Sequence, residues 1–194
     1  MESNMFSDKL KADVKKRFDS NGWEDEDFKA LQEIASIGYE KWQSDDLNRW
    51  DYKDMIKWVN NTYGDIAAYA VLVGKLNYQV TNGGLFQYFD NGYGGTDENA
   101  TLHQKLIQFH KELGLQDLKH GKDMLEILEE AAETYSKNYR DPNRRRYGGY
   151  PDYDDFDNEE DSYVSYDKQD QKYYSFMNEW ITELATFFDK GIMS

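Results

Sequence analysis

The stretch from Asp65 to Gly95 constrains this chain most. Ile66, Ala67, Ala70, Val73, Leu76, Asn77 and Val80 recur at spacings of three and four, the period of a buried helix over Asp65 to Val80. Thr81-Asn82-Gly83-Gly84 then stops that helix and starts another. Glycine at a helix end tolerates positive φ, and Thr81 or Asn82 is placed to cap the second helix by accepting from its orphan backbone N–H groups. Leu85, Phe86, Tyr88 and Phe89 follow as a short aromatic turn, closed by Asn91-Gly92 and Gly94-Gly95.

The same period recurs on either side. Before the rod, Ser7 to Phe18 reads as a helix on Phe6, Leu10, Val14 and Phe18, ended by Ser20-Asn21-Gly22. A second helix opens on Glu24-Asp25-Glu26-Asp27, acids that suit a helix N-terminus, and carries Phe28, Leu31, Ile34, Ala35, Tyr39 and Trp42. Ser44-Asp45-Asp46 can cap a third, which bears Leu47, Trp50, Met55 or Ile56, Trp58 and Val59. After the rod, helices are expected over Asp97 to Leu113, Asp117 to Tyr139 and Asp167 to Lys190, the last ending at Gly191. No segment alternates with period two. The expected fold is all-α, a single compact multi-helix domain over 54–194 with an N-terminal helical extension over 1–53.

The signature Asn82-Gly83-Gly84-Leu85-Phe86-Gln87-Tyr88-Phe89, followed by Asn91, resembles that of an all-helical family of unknown function. The best-known member of that family is a bacterial DNA-mimic protein, and the resemblance runs from about Asp54 to Lys190. It implies a non-enzymatic binding protein, a DNA-binding protein as partner and a homodimer. For Asn82, Gly83, Gly84, Phe86, Gln87, Tyr88, Phe89 and Asn91 it implies a structural role.

Charge narrows the partners independently. The chain has 38 acidic against 23 basic residues, net −15, so phosphates of nucleic acid or anionic lipid are repelled and direct binding to either is not expected. A basic, DNA-binding protein or a nuclease is attracted by the same field. No apolar run approaches the roughly 18 residues of a membrane span, and no signal-peptide centre follows Met1, so the cytoplasm is the expected compartment. Cysteine is absent, which removes disulfides, thiolate metal sites and Cys nucleophiles.

No arrangement predicts a cofactor, metal or catalytic centre. Calcium-loop spacing fails from Asp155, where Glu160 takes the glycine position, and from Asp152. His103 and His110 lie two helical turns apart, about 10 Å, too far to share one metal ion, and with His120 they are expected at the surface or half-buried. Neither a Gly-x-Ser-x-Gly elbow nor a phosphate loop occurs. The readings that stay open are a polar hydrolase pocket near Asn82, Gln87 and His103 or His110, an immunity protein against a nuclease toxin, and a plain acidic scaffold.

The candidate partner-binding residues are carboxylates at helical steps. Asp123, Glu126, Glu130 and Glu133 share the face opposite the leucines of the helix at 117–139, with Glu129 beside them. A second block, Asp152, Asp154, Asp155, Asp157, Glu159, Glu160 and Asp161, follows Arg144-Arg145-Arg146. Held in register, such oxygens can stand in for a line of phosphates.

Overall fold

The computed structural model describes residues 5–21, 29–44, 52–93, 101–139 and 165–194. All regular structure among them is helical: α1 (Asp8–Asn21), α2 (Ala30–Gln43), α3 (Tyr52–Tyr63), α4 (Asp65–Tyr88), α5 (Thr101–Glu112), α6 (Gly121–Tyr139) and α7 (Asp167–Met193). A π-helical turn (Phe89–Tyr93) extends α4, and a 3₁₀ turn (Leu115–Asp117) precedes α6.

Every residue of α4 from Ile66 to Val73 is buried. A helix apolar on all sides has to be enclosed. Accordingly α2, α3, α5 and α7 all pack on it. One contiguous core results, and it includes Phe6, Leu10 and Val14 of the N-terminal region with Trp180, Leu184 and Phe188 of α7. Arg17 of α1 holds α2 by polar contacts as well. Its guanidinium donates to Glu40 at 2.8 and 2.7 Å and to the buried Glu33 at 3.0 Å, the geometry of a strong forked pair.

Several expected boundaries move. The last helix runs through Gly191 to Met193. Gly191 is a packing position and not a stop: a Cβ there would sit 2.1 Å from the Phe6 ring. The helix expected from Asp117 begins at Gly121, because 115–120 are taken up by the 3₁₀ turn and the bend after it. Ser44 closes α2 by donating to the Lys41 carbonyl at 2.6 Å, and does not open α3. The acids Glu24 to Asp27 lie outside the described residues, as do Arg144 to Arg146. Among the described residues no helix is long and apolar enough to cross a membrane.

Candidate functional site

The break in α4 is where the signature residues meet. Gly83 (φ −170°) and Gly84 (φ +72°) leave helical geometry, so the chain turns an elbow and resumes at Leu85. The caps differ from the expected ones. Thr81 donates its hydroxyl backward to the carbonyls of Asn77 (2.8 Å) and Tyr78 (3.1 Å), and the Asn82 amide donates to Tyr78 O (2.7 Å). Both side chains therefore finish the first limb. The acceptor for the second limb is Asp170 of α7, whose carboxylate takes the Leu85 N–H at 2.9 Å. A Cβ on Gly84 would lie 2.5 Å from Asp170 Oδ2, so a left-handed φ and the approaching carboxylate both require glycine there. Burial raises the Asp170 carboxyl above its usual range, opposed by that N–H.

Across the elbow, the side chain of Gln79 ties the limbs together. Its Oε1 accepts from Gln87 Nε2 at 2.9 Å and from Asn91 Nδ2 at 2.8 Å. Phe89 stacks between Tyr135 of α6 (4.8 Å) and Tyr166 (5.3 Å). Phe86 and Asn82 face solvent, whereas Tyr88 is buried.

Two histidines join α4 to α6 through a repeated arrangement. His103 Nε2 lies 2.8 Å from Leu128 O and its Nδ1 3.3 Å from the Tyr88 hydroxyl. His110 Nε2 lies 2.9 Å from Gly121 O and its Nδ1 2.9 Å from the Tyr69 hydroxyl. A carbonyl only accepts, so each ring carries its proton on Nε2 and takes the tyrosine O–H at Nδ1. Both histidines are buried, contrary to the surface or half-buried places expected of them. Amphipathic periodicity puts them on the α5 core face, and the two carbonyls make that burial tolerable. Desolvation lowers both to about 4, against weaker opposition from the carbonyl contacts. A general base must reach the proton it removes. Here both ring nitrogens of each residue are spent inside the core, so the polar pocket considered at Asn82, Gln87 and His103 is not formed by these groups.

Asp123, Glu126, Glu129 and Glu133 of α6 are exposed while Glu130 is half-buried, its Oε2 enclosed without a hydrogen-bond partner, and most of these carboxylates carry a lysine. Glu126 meets Lys172 at 2.7 Å, Glu133 meets Lys137 at 2.8 Å and Glu130 meets Lys168 at 3.8 Å, while Glu129 pairs with Lys111 of α5. Asp123 has no ion-pair partner among the described residues. Asp152, Asp154, Asp155, Asp157, Glu159, Glu160 and Asp161 lie outside the described residues. Asp123, Glu126, Glu130 and Glu133 occupy about 15 Å of axis at the helical rise. That is about one charge per 4–5 Å, against one per 1.7 Å for duplex DNA. This helix face alone is sparser than the polymer.

Three groups were not singled out in the sequence: Gln79, and the α7 carboxylates Glu183 and Asp189. Asp189 accepts from Ala30 N at 2.8 Å, at the start of α2. Glu183 accepts from Lys119 N (2.6 Å), His120 N (3.0 Å) and His120 Nδ1 (3.1 Å), just ahead of α6. With Asp170, α7 therefore supplies the acceptor at three helix N-termini.

A family model, that of DMP19-like proteins, matches residues 62–184, more than half of the 194-residue chain. No curated protein and no solved structure matches it. The chain belongs to the DMP19-like family.

Proposed function

We propose that this member of the DMP19-like family is a non-enzymatic acidic binding protein that occupies the DNA-binding surface of a transcription factor, nucleoid protein or nuclease. The observation that carries this reading is the excess of 38 acidic over 23 basic residues in a chain of a family whose best-known member is a DNA mimic. The partner surface is assigned to Asp123, Glu126, Glu129, Glu130 and Glu133 of α6, with the Asp152 to Asp161 block adding the charge that one helix face lacks. The family-like part, 54–194, carries that surface, and 1–53 braces it. The working form is a homodimer in the cytoplasm.

Lysine pairing on α6 is compatible with this reading on energetic grounds. Exposed ion pairs are worth about 0–1 kcal/mol, so Lys172, Lys168 and Lys137 yield readily to a partner's arginines. An arginine fork makes two parallel bonds to a carboxylate where a lysine makes one. Capture from host lysate at low and high salt, followed by competition with duplex DNA, tests the proposal. The expected result is a basic DNA-binding protein that salt and duplex DNA both release. Failure to recover one, or release indifferent to both, refutes it.

A further inference from the structure

Five large apolar side chains are well exposed among the described residues: Tyr39, Tyr78, Phe86, Tyr174 and Met193. Three of them stand around the elbow at Gly83-Gly84. Tyr78 (60 % exposed) ends the first limb of α4, its carbonyl bonded to Asn82, and Phe86 (47 %) begins the second. Tyr174 of α7 (47 %) donates its hydroxyl to the Val80 carbonyl between them. Apolar surface gathered in one place marks a contact site more than the same area scattered singly. No charge interrupts it along α4. Leu76 to Phe89 is the longest uncharged run in a chain that is 31 % charged, and Thr81, Asn82 and Gly83 are exposed within it. The Asp170 carboxylate of α7 is engaged inward, on the Leu85 N–H.

Opposite charges close the run. Lys75 precedes it, its ammonium 5.1 Å from the centre of the Tyr78 ring, and the exposed Asp90 follows it. Lys75, Tyr78, Asn82, Phe86 and Asp90 recur at steps of three and four, and all but the half-buried Lys75 are exposed, so they border one solvent-facing strip. A basic partner gains little from a strip without carboxylates. A second copy of the chain gains more. Two strips laid antiparallel about a two-fold axis near Asn82-Gly83 set Lys75 of one protomer opposite Asp90 of its partner, and Tyr78 opposite Phe86, at both ends alike. Parallel strips would set like charge on like. Between chains of net −15, a neutral strip is also where two copies approach with least repulsion.

We propose that two copies of this chain associate through the α4 elbow, strip against strip and antiparallel. This gives a face to the homodimer of the proposed function and rests on that part of it, but not on mimicry by α6. Sedimentation velocity of the full chain over a range of concentrations, at low and high salt, tests it. Three half-exposed rings are a small share of the about 800 Å² that a stable dimer takes from each copy, so the expected dimer dissociates on dilution. High salt screens the repulsion between the two acidic chains and strengthens the dimer, whereas it releases a basic partner. Phe86→Glu weakens the dimer tenfold or more, and Tyr39→Glu, at an exposed aromatic of α2 outside the strip, leaves it unchanged. Lys75→Glu and Asp90→Lys each weaken it, and the two combined in one chain restore it, because opposite signs then face each other again. Asp90 is exposed, so Asp90→Lys decides the question even where Phe86→Glu disturbs the elbow. A monomer at every concentration overturns both the homodimer and this face. A dimer that salt weakens, that Phe86→Glu and Asp90→Lys leave intact, or that the double reversal fails to restore overturns the face alone.

Discussion

Asp170 of α7 accepts a hydrogen bond from the backbone N–H of Leu85, 85 residues earlier in the chain, and by doing so restarts a helix that two glycines have stopped. The contact explains the order of the signature residues. Gly83 releases the helix, Gly84 turns it with φ +72° and leaves room for the carboxylate, and Leu85 presents the first orphan N–H. A cap supplied by another helix makes the elbow a tertiary device. It forms only when α7 docks.

Removing the acceptor is expected to cost what a helix cap costs. Asp170→Ala should destabilise the fold by about 1–2 kcal/mol in urea unfolding, with Asp170→Asn, which keeps an acceptor oxygen, losing less. Gly84→Ala should cost about 1–3 kcal/mol, from the left-handed φ and the clash with the carboxylate. Because one substitution relieves the clash of the other, the Gly84→Ala/Asp170→Ala pair should be less destabilised than the sum of its parts. Strict additivity in that cycle argues against the contact.

Gln79 anchors two donors across the same elbow, so Gln79→Ala strands Gln87 Nε2 and Asn91 Nδ2 together. Asn91 is exposed and Gln87 half-buried, so water takes over part of the loss and the expected cost is about 0.5–1.5 kcal/mol. The effect should be local. Amide exchange across Phe89–Tyr93 is expected to accelerate while α1 and α2 keep their protection, and uniform acceleration throughout would contradict a local tie.

The buried histidines set an acid limit on stability. Their folded values of about 4 lie below the ordinary 6.5, so the unfolded chain binds the extra protons. Their contribution is whole above pH 6.5 and is lost as the pH falls toward 4, at up to about 1.4 kcal/mol per pH unit for each ring. Asp170 and Asp189, raised by burial, act in the opposite sense at the acid end of that window. The steepest loss should therefore fall between about pH 6.5 and 5. His110→Gln, which cannot titrate, should roughly halve the slope in urea titrations taken across that range. An unchanged slope sinks the assignment.

How far the sequence reveals this arrangement depends on the reach of each interaction. The helical class is legible because Ile66 to Val80 repeats at the helical period, and the break is legible because Gly83-Gly84 interrupts it. The direction of the caps is not. Thr81 and Asn82 have donors as well as acceptors, and only the arrival of Asp170 decides that they serve the limb behind them. His103 and His110 show the same limit from the other side. Their seven-residue spacing is visible, but the carbonyls of Leu128 and Gly121 that make burial possible belong to a helix not yet placed. Gly191 reads as a stop until Phe6 is known to lie across it.

The N-terminal region gives the last test, because a division between an extension at 1–53 and a family-like domain at 54–194 has a thermodynamic consequence. Phe6, Leu10, Val14 and Phe18 of the α1 region are all buried, and Ala30, Leu31 and Ile34 of α2 are buried with them. Phe6 meets Phe188 edge to face at 5.5 Å, and Tyr63 of α3 donates to Asp13 at 2.9 Å. A fully buried apolar side chain of this size is worth about 1.5–3 kcal/mol. Four of them in α1 amount to about 6–12 kcal/mol, the scale of the whole stability of a domain. A chain beginning at residue 54 should therefore lose cooperative unfolding in circular dichroism, although it keeps the entire family match. A cooperative transition in the truncated chain would mean that these contacts decorate an independent fold. The four-residue set Phe6→Ala, Leu10→Ala, Val14→Ala and Phe18→Ala in the full-length chain separates apolar packing from mere chain length, and it should unfold the protein as thoroughly as truncation does.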